Sequence, residues 1–258
     1  MEEKDIIEYI KKDPYYIKLI SNPTEEMVLI ALREDGNLLK YIKNPSEKVI
    51  WEALKSNVWA IEYIEKPTEE MCLYAVKEAW NTIRYIKNPS NSVLKEAVSS
   101  KGWAIQFINK PSEELQKVAV EKDFDSIKFI KEPSEEIQLI AVKMDWTNIK
   151  YIKNPSFKVE MEAIKLNEEA MRYIDNLTQD KIKEFIKVNV KIAKYLDKES
   201  IALVENIIKE EMGKKDVDEN YIVDFIKCES FTFDKVTFIY RYGSMKAKRI
   251  LLDYKLSI

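Results

Sequence analysis

Phe129 to Lys150 reads FIKEPSEEIQLIAVKMDWTNIK, and the same 22-residue pattern returns in register at Leu19, Tyr41, Tyr63, Tyr85, Phe107, Phe129, Tyr151, Tyr173 and Tyr195. No insertion or deletion separates the units, so each residue has a fixed place in the repeat. The fifth place is proline in seven units, from Pro23 to Pro155, and the sixth is Ser or Thr in all nine, from Thr24 to Ser200. That pair predicts a helix start. Proline is barred from a helix interior, it pushes the residue before it towards extended geometry, and a Ser or Thr hydroxyl accepts a bond from an unpaired first-turn amide. Carboxylates follow where the positive end of the helix dipole favours them: Glu25/Glu26, Glu69/Glu70, Glu113/Glu114 and Glu135/Glu136.

After each start the apolar places keep helical spacing, as at Ile137, Ala141 and Val142 or Met27, Ala31 and Leu32. The thirteenth place is Ala in the first seven units, which suits close approach of neighbouring helices, and the Tyr/Phe-Ile pair that opens each unit supplies bulk between layers. A polar break such as Asp145 ends this helix after about ten residues, and a shorter one follows, partly of the tighter 3-10 kind. Neither helix is stable alone at such length, and stacking buries both. The expected fold is therefore all-α: an α-solenoid of about nine 22-residue helical hairpins.

The segments at either end extend this scheme. Residues 1–18 are expected to form an N-terminal capping helix through Ile6, Ile7, Tyr9 and Ile10; residues 19–216 carry the repeats, degenerate after 173; residues 217–258 form a C-terminal helical cap or accessory segment. Lys209 to Glu219 has a linker's composition. Tyr221–Cys228, Asp234–Tyr242 and Ser244–Tyr254 read as three helices, although the β-branched and aromatic residues of Phe231–Tyr242 also suit a strand pair.

The motif YIKNPS at Tyr41, Tyr85 and Tyr151, with the AVK that follows it, resembles the short tandem α-helical repeats known in bacteria and phages as a domain of unknown function, and more loosely HEAT-like solenoids. The resemblance covers Leu19 to about Lys194. It implies a binding surface, and a phage or mobile-element product that inhibits a host or defence protein is one form such a surface takes.

Composition narrows the chemistry. The 258 residues are 46% hydrophobic and 34% charged, with four Gly and no His, so imidazole-based catalysis is absent and no glycine-rich loop cradles phosphate. Every paired carboxylate recurs at a helix start, which is a structural pattern. No catalytic, metal or cofactor residue is expected, and the protein is read as not an enzyme. Net charge is −3, so no global field attracts polyanions. Cys72 and Cys228 stand far apart and read as reduced thiols. Met1 to Lys12 opens acidic and lacks a long apolar run, so a cytoplasmic protein without a membrane partner is expected.

Two surfaces then compete as binding sites. Places eleven, twelve and fifteen are expected to face outwards along one wall, where early units carry Leu29, Ile30, Trp51, Leu73 and Tyr74, middle ones Lys95, Glu96 and Lys117, and later ones Leu139, Ile140 and Met161. Such an apolar strip marks a protein partner, unless it packs beneath the next layer. The other surface is basic, with Lys43, Lys87, Lys131 and Lys153 as candidate anion-binding residues beside Lys40, Arg84, Lys128, Lys150 and Arg172. It would follow a nucleic-acid backbone, unless its charges simply complement helix C-termini. Glu62, Glu65, Gln106 and Asn109 interrupt it. Trp59, Trp80, Trp103 and Trp146 lie at the hairpin bends, where wedging between layers competes with ligand stacking.

Overall fold

The computed structural model describes residues 2–256, so Met1 and residues 257–258 lie outside it. All regular structure is helical, with no strand among the described residues. The chain divides into two compact units, Met1–Lys131 and Glu132–Ile258. The boundary falls in the turn before Pro133.

The first unit stacks six pairs, each a ten-residue α-helix followed by a six-residue 3-10 helix. They are α1 (Glu3–Lys12) with η1 (Pro14–Leu19), α2 (Glu25–Glu34) with η2 (Gly36–Tyr41), α3 (Glu47–Ser56) with η3 (Val58–Tyr63), α4 (Glu69–Glu78) with η4 (Trp80–Tyr85), α5 (Asn91–Ser100) with η5 (Gly102–Phe107), and α6 (Glu113–Lys122) with η6 (Phe124–Phe129). The second half of every hairpin is thus a 3-10 helix throughout. The N-terminal segment forms a full pair, since α1 and η1 have the same lengths as the repeat pairs that follow.

The second unit holds α7 (Glu135–Met144) with η7 (Trp146–Tyr151), α8 (Phe157–Leu166) with η8 (Glu168–Tyr173) and α9 (Gln179–Val188) with η9 (Val190–Tyr195). Four α-helices follow: α10 (Lys198–Gly213), α11 (Glu219–Lys227), α12 (Lys235–Tyr242) and α13 (Met245–Leu256). Here the repeat register breaks. Asp197 replaces Ser200 as the N-cap, its carboxylate accepting from the Ser200 amide at 2.8 Å, because no proline bars Lys198 from the first turn. The helix then runs to Gly213, so Lys209–Gly213 is helix rather than linker, held by the fully buried Met212. Phe231 to Tyr242 is no strand pair. Its aromatics gather around Phe225, with ring centroids 5.0 Å from Phe231 and 5.4 Å from Phe238, while Asp234 caps α12 through the Val236 amide.

Within most layers the sixth-place hydroxyl caps its helix as expected, for example Ser46 accepting from the Val49 amide at 3.4 Å. The same hydroxyl also reaches the previous layer. Ser46 donates to Glu25 at 3.1 Å, Ser90 to Glu69 at 2.6 Å, and in the second unit Glu135 is held below the usual carboxylate range first by the Ser156 hydroxyl. The first-turn carboxylate therefore does more than complement a dipole, since it ties one helix start to the next. The residue before proline is not extended in several turns: Asn44, Asn88, Lys110 and Asn154 are left-handed, with φ of 48, 53, 51 and 56°. Both conformations avoid the right-handed helical region that proline forbids to its predecessor.

The twentieth place is buried in the eight units from Leu38 to Ile192, and it accepts polar residues only with local partners or at a cost. The Thr82 hydroxyl donates to Ala79 O at 2.8 Å and Asn148 to Ala141 O at 2.9 Å, while the Ser126 hydroxyl has no partner. In the second unit Glu160 is buried and meets Lys181 at 2.7 Å, bringing one ion pair into the seam between α8 and α9.

Candidate binding surfaces

The outer wall of the first unit is built by the eleventh and twelfth places of α2, α3 and α4. Leu29 does not reach the surface: it is 7% exposed and belongs to the core, because α2 lies between α1 and α3 and is covered on both sides. Ile30, Trp51, Leu73 and Tyr74 are each partly exposed. The Trp51 and Tyr74 rings meet edge to face, their centroids 5.7 Å apart, in the geometry the aromatic quadrupole favours. They therefore both pack across the seam between α3 and α4 and leave area in solvent. Further along, α5 and α6 close the wall with charge, Lys95 donating to Glu114 at 2.9 Å. In the second unit Leu139, Ile140 and Met161 are likewise partly exposed.

The turn lysines divide between the units. Lys43, Lys87 and Lys131 are exposed in turns of the first unit, and Lys153 is exposed in a turn of the second, where Asp175 and Asp197 occupy the matching place. Sequence register hid two members of the first group. Lys66 and Lys110 sit one place later in the intervening turns and are exposed too, so five successive turns each carry a lysine. None of the five forms an ion pair among the described residues. Successive turns face each other, as in the groove lined by Lys18–Pro23 and Tyr41–Ser46.

The cations that end the 3-10 helices are spent differently. Lys40 lies over the Tyr41 and Tyr63 rings at 5.1 and 5.9 Å, Arg84 over Tyr85 at 4.7 Å, and Lys128 over Phe129 at 5.1 Å. They lie over rings that a planar ligand would otherwise stack on.

The tryptophans wedge between layers. Trp59 meets Tyr85, Trp80 meets Phe107 and Trp103 meets Phe129 at centroid distances of 6.0, 6.2 and 6.1 Å, and in the second unit Trp146 meets Tyr173 at 6.5 Å. Trp103 is pinned most closely. Lys128 lies 4.1 Å from its ring centroid, and its indole N–H donates to Asp125 at 2.7 Å. Burial works to raise the Asp125 carboxyl, but bonds from Lys128 and Trp103 outweigh it and hold the group below its ordinary range. At the same seam, Asp123 accepts from Lys101 and from the Gly102 amide, both at 2.7 Å.

Elsewhere the ionisable groups do structural work. Glu168 is held below its ordinary range by Lys194 and Lys191, at 2.9 and 3.1 Å, against the opposing effect of burial. Cys72 is buried, which pushes its thiol up, and Cys228 is partly exposed. Among the described residues no three His, Cys, Asp or Glu side chains converge as a metal-binding group, and no helix is long and apolar enough to cross a membrane. Comparison of the chain with protein-family models, with curated proteins and with solved structures finds no match.

Proposed function

We propose that the chain is a non-catalytic binding scaffold whose ligand is another protein, held on the outer face of α3 and α4. The observation that carries this reading is the Trp51–Tyr74 pair: layers with matching cores differ on their outer places, and here two large aromatics keep part of their surface in solvent, as do Ile30 and Leu73. Aromatics of this kind supply most of the energy at protein interfaces, about 2 kcal/mol or more at a hot spot. The absence of histidine and the structural use of the paired carboxylates support a non-enzymatic role. Resemblance of the YIKNPS repeat to bacterial and phage tandem repeats supports a partner in the host cell, such as a defence protein that the scaffold inhibits.

The test is capture of the partner from the native cell, its identification by mass spectrometry, and rebinding of the purified partner. Trp51→Ala/Tyr74→Ala should lose rebinding. It should also lose about 1–2 kcal/mol of stability, because the ring pair crosses a helix seam. Undiminished rebinding by this variant would overturn the reading.

A second reading rests on the five turn lysines of the first unit, which would follow a nucleic-acid backbone. Because the chain's own cations lie over the neighbouring aromatic rings, such binding would be to phosphate rather than by base stacking. Lys43→Glu/Lys87→Glu/Lys131→Glu would then abolish a steeply salt-dependent association with oligonucleotides that Trp51→Ala/Tyr74→Ala retains.

A further inference from the structure

The last helix presents a surface that neither reading uses. On α13 the buried side is Ala247, Ile250 and Leu251, and the residues opposite them are Met245, Arg249, Leu252 and Leu256, spaced four, three and four along the chain. Helical geometry places those four in one row. Three are apolar and project into solvent: Met245 is 81% exposed, Leu252 48% and Leu256 86%. Such a row on a helix already anchored by its other side leaves its apolar surface without cover.

Charge says what kind of cover fits. From Arg241 to Lys255 there are five cations, Arg241, Lys246, Lys248, Arg249 and Lys255, against one anion, Asp253, in a chain whose net charge is −3. On the helix, Lys248 and Lys255 fall on one side of the row and Lys246 on the other, while Arg249 stands within it and reaches Asp253 at 3.7 Å. A second copy of this face would bring like charges together. The area is also too small for a stable protein complex: three aliphatic side chains offer roughly 300–400 Å², against the roughly 800 Å² that each partner of a stable interface buries. A lipid surface imposes no such threshold. Aliphatic side chains enter the headgroup boundary one by one, while flanking lysines reach the phosphates.

We propose that the α13 face is a peripheral docking surface for an anionic lipid bilayer, with Met245, Leu252 and Leu256 entering the interface and Lys246, Lys248 and Lys255 meeting headgroup phosphates. The helix lies on the membrane and does not span it, in keeping with the absence of a spanning helix among the described residues. The contact is independent of the α3–α4 wall.

The test is flotation of the full chain with vesicles of phosphatidylglycerol and phosphatidylcholine, and with phosphatidylcholine alone. The expected result is enrichment on the anionic vesicles only, weakened by salt. It should fall roughly tenfold or more in Lys246→Glu/Lys248→Glu and be lost in Leu252→Ser/Leu256→Ser. Circular dichroism should show both variants folded, since the changed side chains are not core residues. Four results would each overturn the proposal: no enrichment on anionic vesicles; enrichment that survives both α13 variants; enrichment that Lys43→Glu/Lys87→Glu removes instead, which would assign lipid binding to the turn lysines; or light scattering that reveals a dimer abolished by Leu252→Ser/Leu256→Ser.

Discussion

Gly102 shows how tightly one residue can be specified. A Cβ built there would lie 2.2 Å from the Ala119 carbonyl oxygen, and one at Gly36 would lie 2.2 Å from that of Ala53, so η5 and η2 each approach the following α-helix backbone closely. The eighteenth place carries side chains as large as Trp in other layers, so the requirement belongs to these two local backbones. Gly102→Ala should cost about 1–3 kcal/mol in a denaturant titration, the usual range for overpacking. Gly213→Ala should be nearly neutral, because its nearest atom would be 3.6 Å away. Lys181→Met makes a second case. It strands the Glu160 carboxylate, whose side chain is only 4% exposed, and should lower stability by about 3 kcal/mol, whereas Glu160→Gln/Lys181→Met should recover most of the loss.

At the scale of the element, the helix start is where two layers join. Ser90 caps α5 through the Val93 amide at 3.4 Å and donates to Glu69 at 2.6 Å, so Ser90→Ala removes two bonds and should cost about 1–2 kcal/mol. Ser134 makes no side-chain cap bond and its buried hydroxyl has no partner, so Ser134→Ala should be neutral or slightly stabilising. Comparing the two melts tests the double role. The helix starts were legible because Pro and Ser or Thr recur at fixed places and local sterics enforce their meaning. The second half of the hairpin was legible as a short helix, and its N-caps, such as Asp35 and Asn57, repeat the Asx geometry at the seventeenth place. The start and length of α10 were not. There the proline signal is gone, and the helix is set by Asp197 and by burial of Val204, Ile208 and Met212, which depends on partners distant in sequence. The candidate site was legible in part. Ile30, Trp51, Leu73 and Tyr74 keep exposed area, whereas Leu29 is covered by packing that periodicity alone does not reveal. The lysine row was half visible, because a long side chain in a turn serves the same edge from either of two adjacent places.

Across the whole molecule, carboxylates rather than histidines set the response to pH. Glu25 is held below its ordinary range by Lys48 and Ser46, Glu135 by Ser156 and Lys158, and Asp125 and Glu168 by their lysines. A depressed folded-state value contributes stability that is present above the unfolded value, near 4, and is lost as pH falls through the folded one. The melting temperature should therefore be flat from about pH 8 to 5 and drop below about pH 4, with no inflection near 6.5 because the chain has no imidazole. A transition centred near pH 6.5 would contradict this.

The unbroken 22-residue period has a consequence for heredity. Every unit keeps its helix start at the same place, and a Glu at the seventh place, such as Glu25 or Glu69, receives the next layer's hydroxyl, so a gene that loses or duplicates one repeat in phase rejoins ends in matching register. Excision of residues 64–85 would bring Tyr63 to Ile86, present Ser90 to Glu47 and give Trp59 the ring of Phe107 in place of Tyr85. The shortened chain should fold. Length in this molecule is a variable that recombination can change in whole steps, and descent need only redesign the outer places that each added or lost layer exposes.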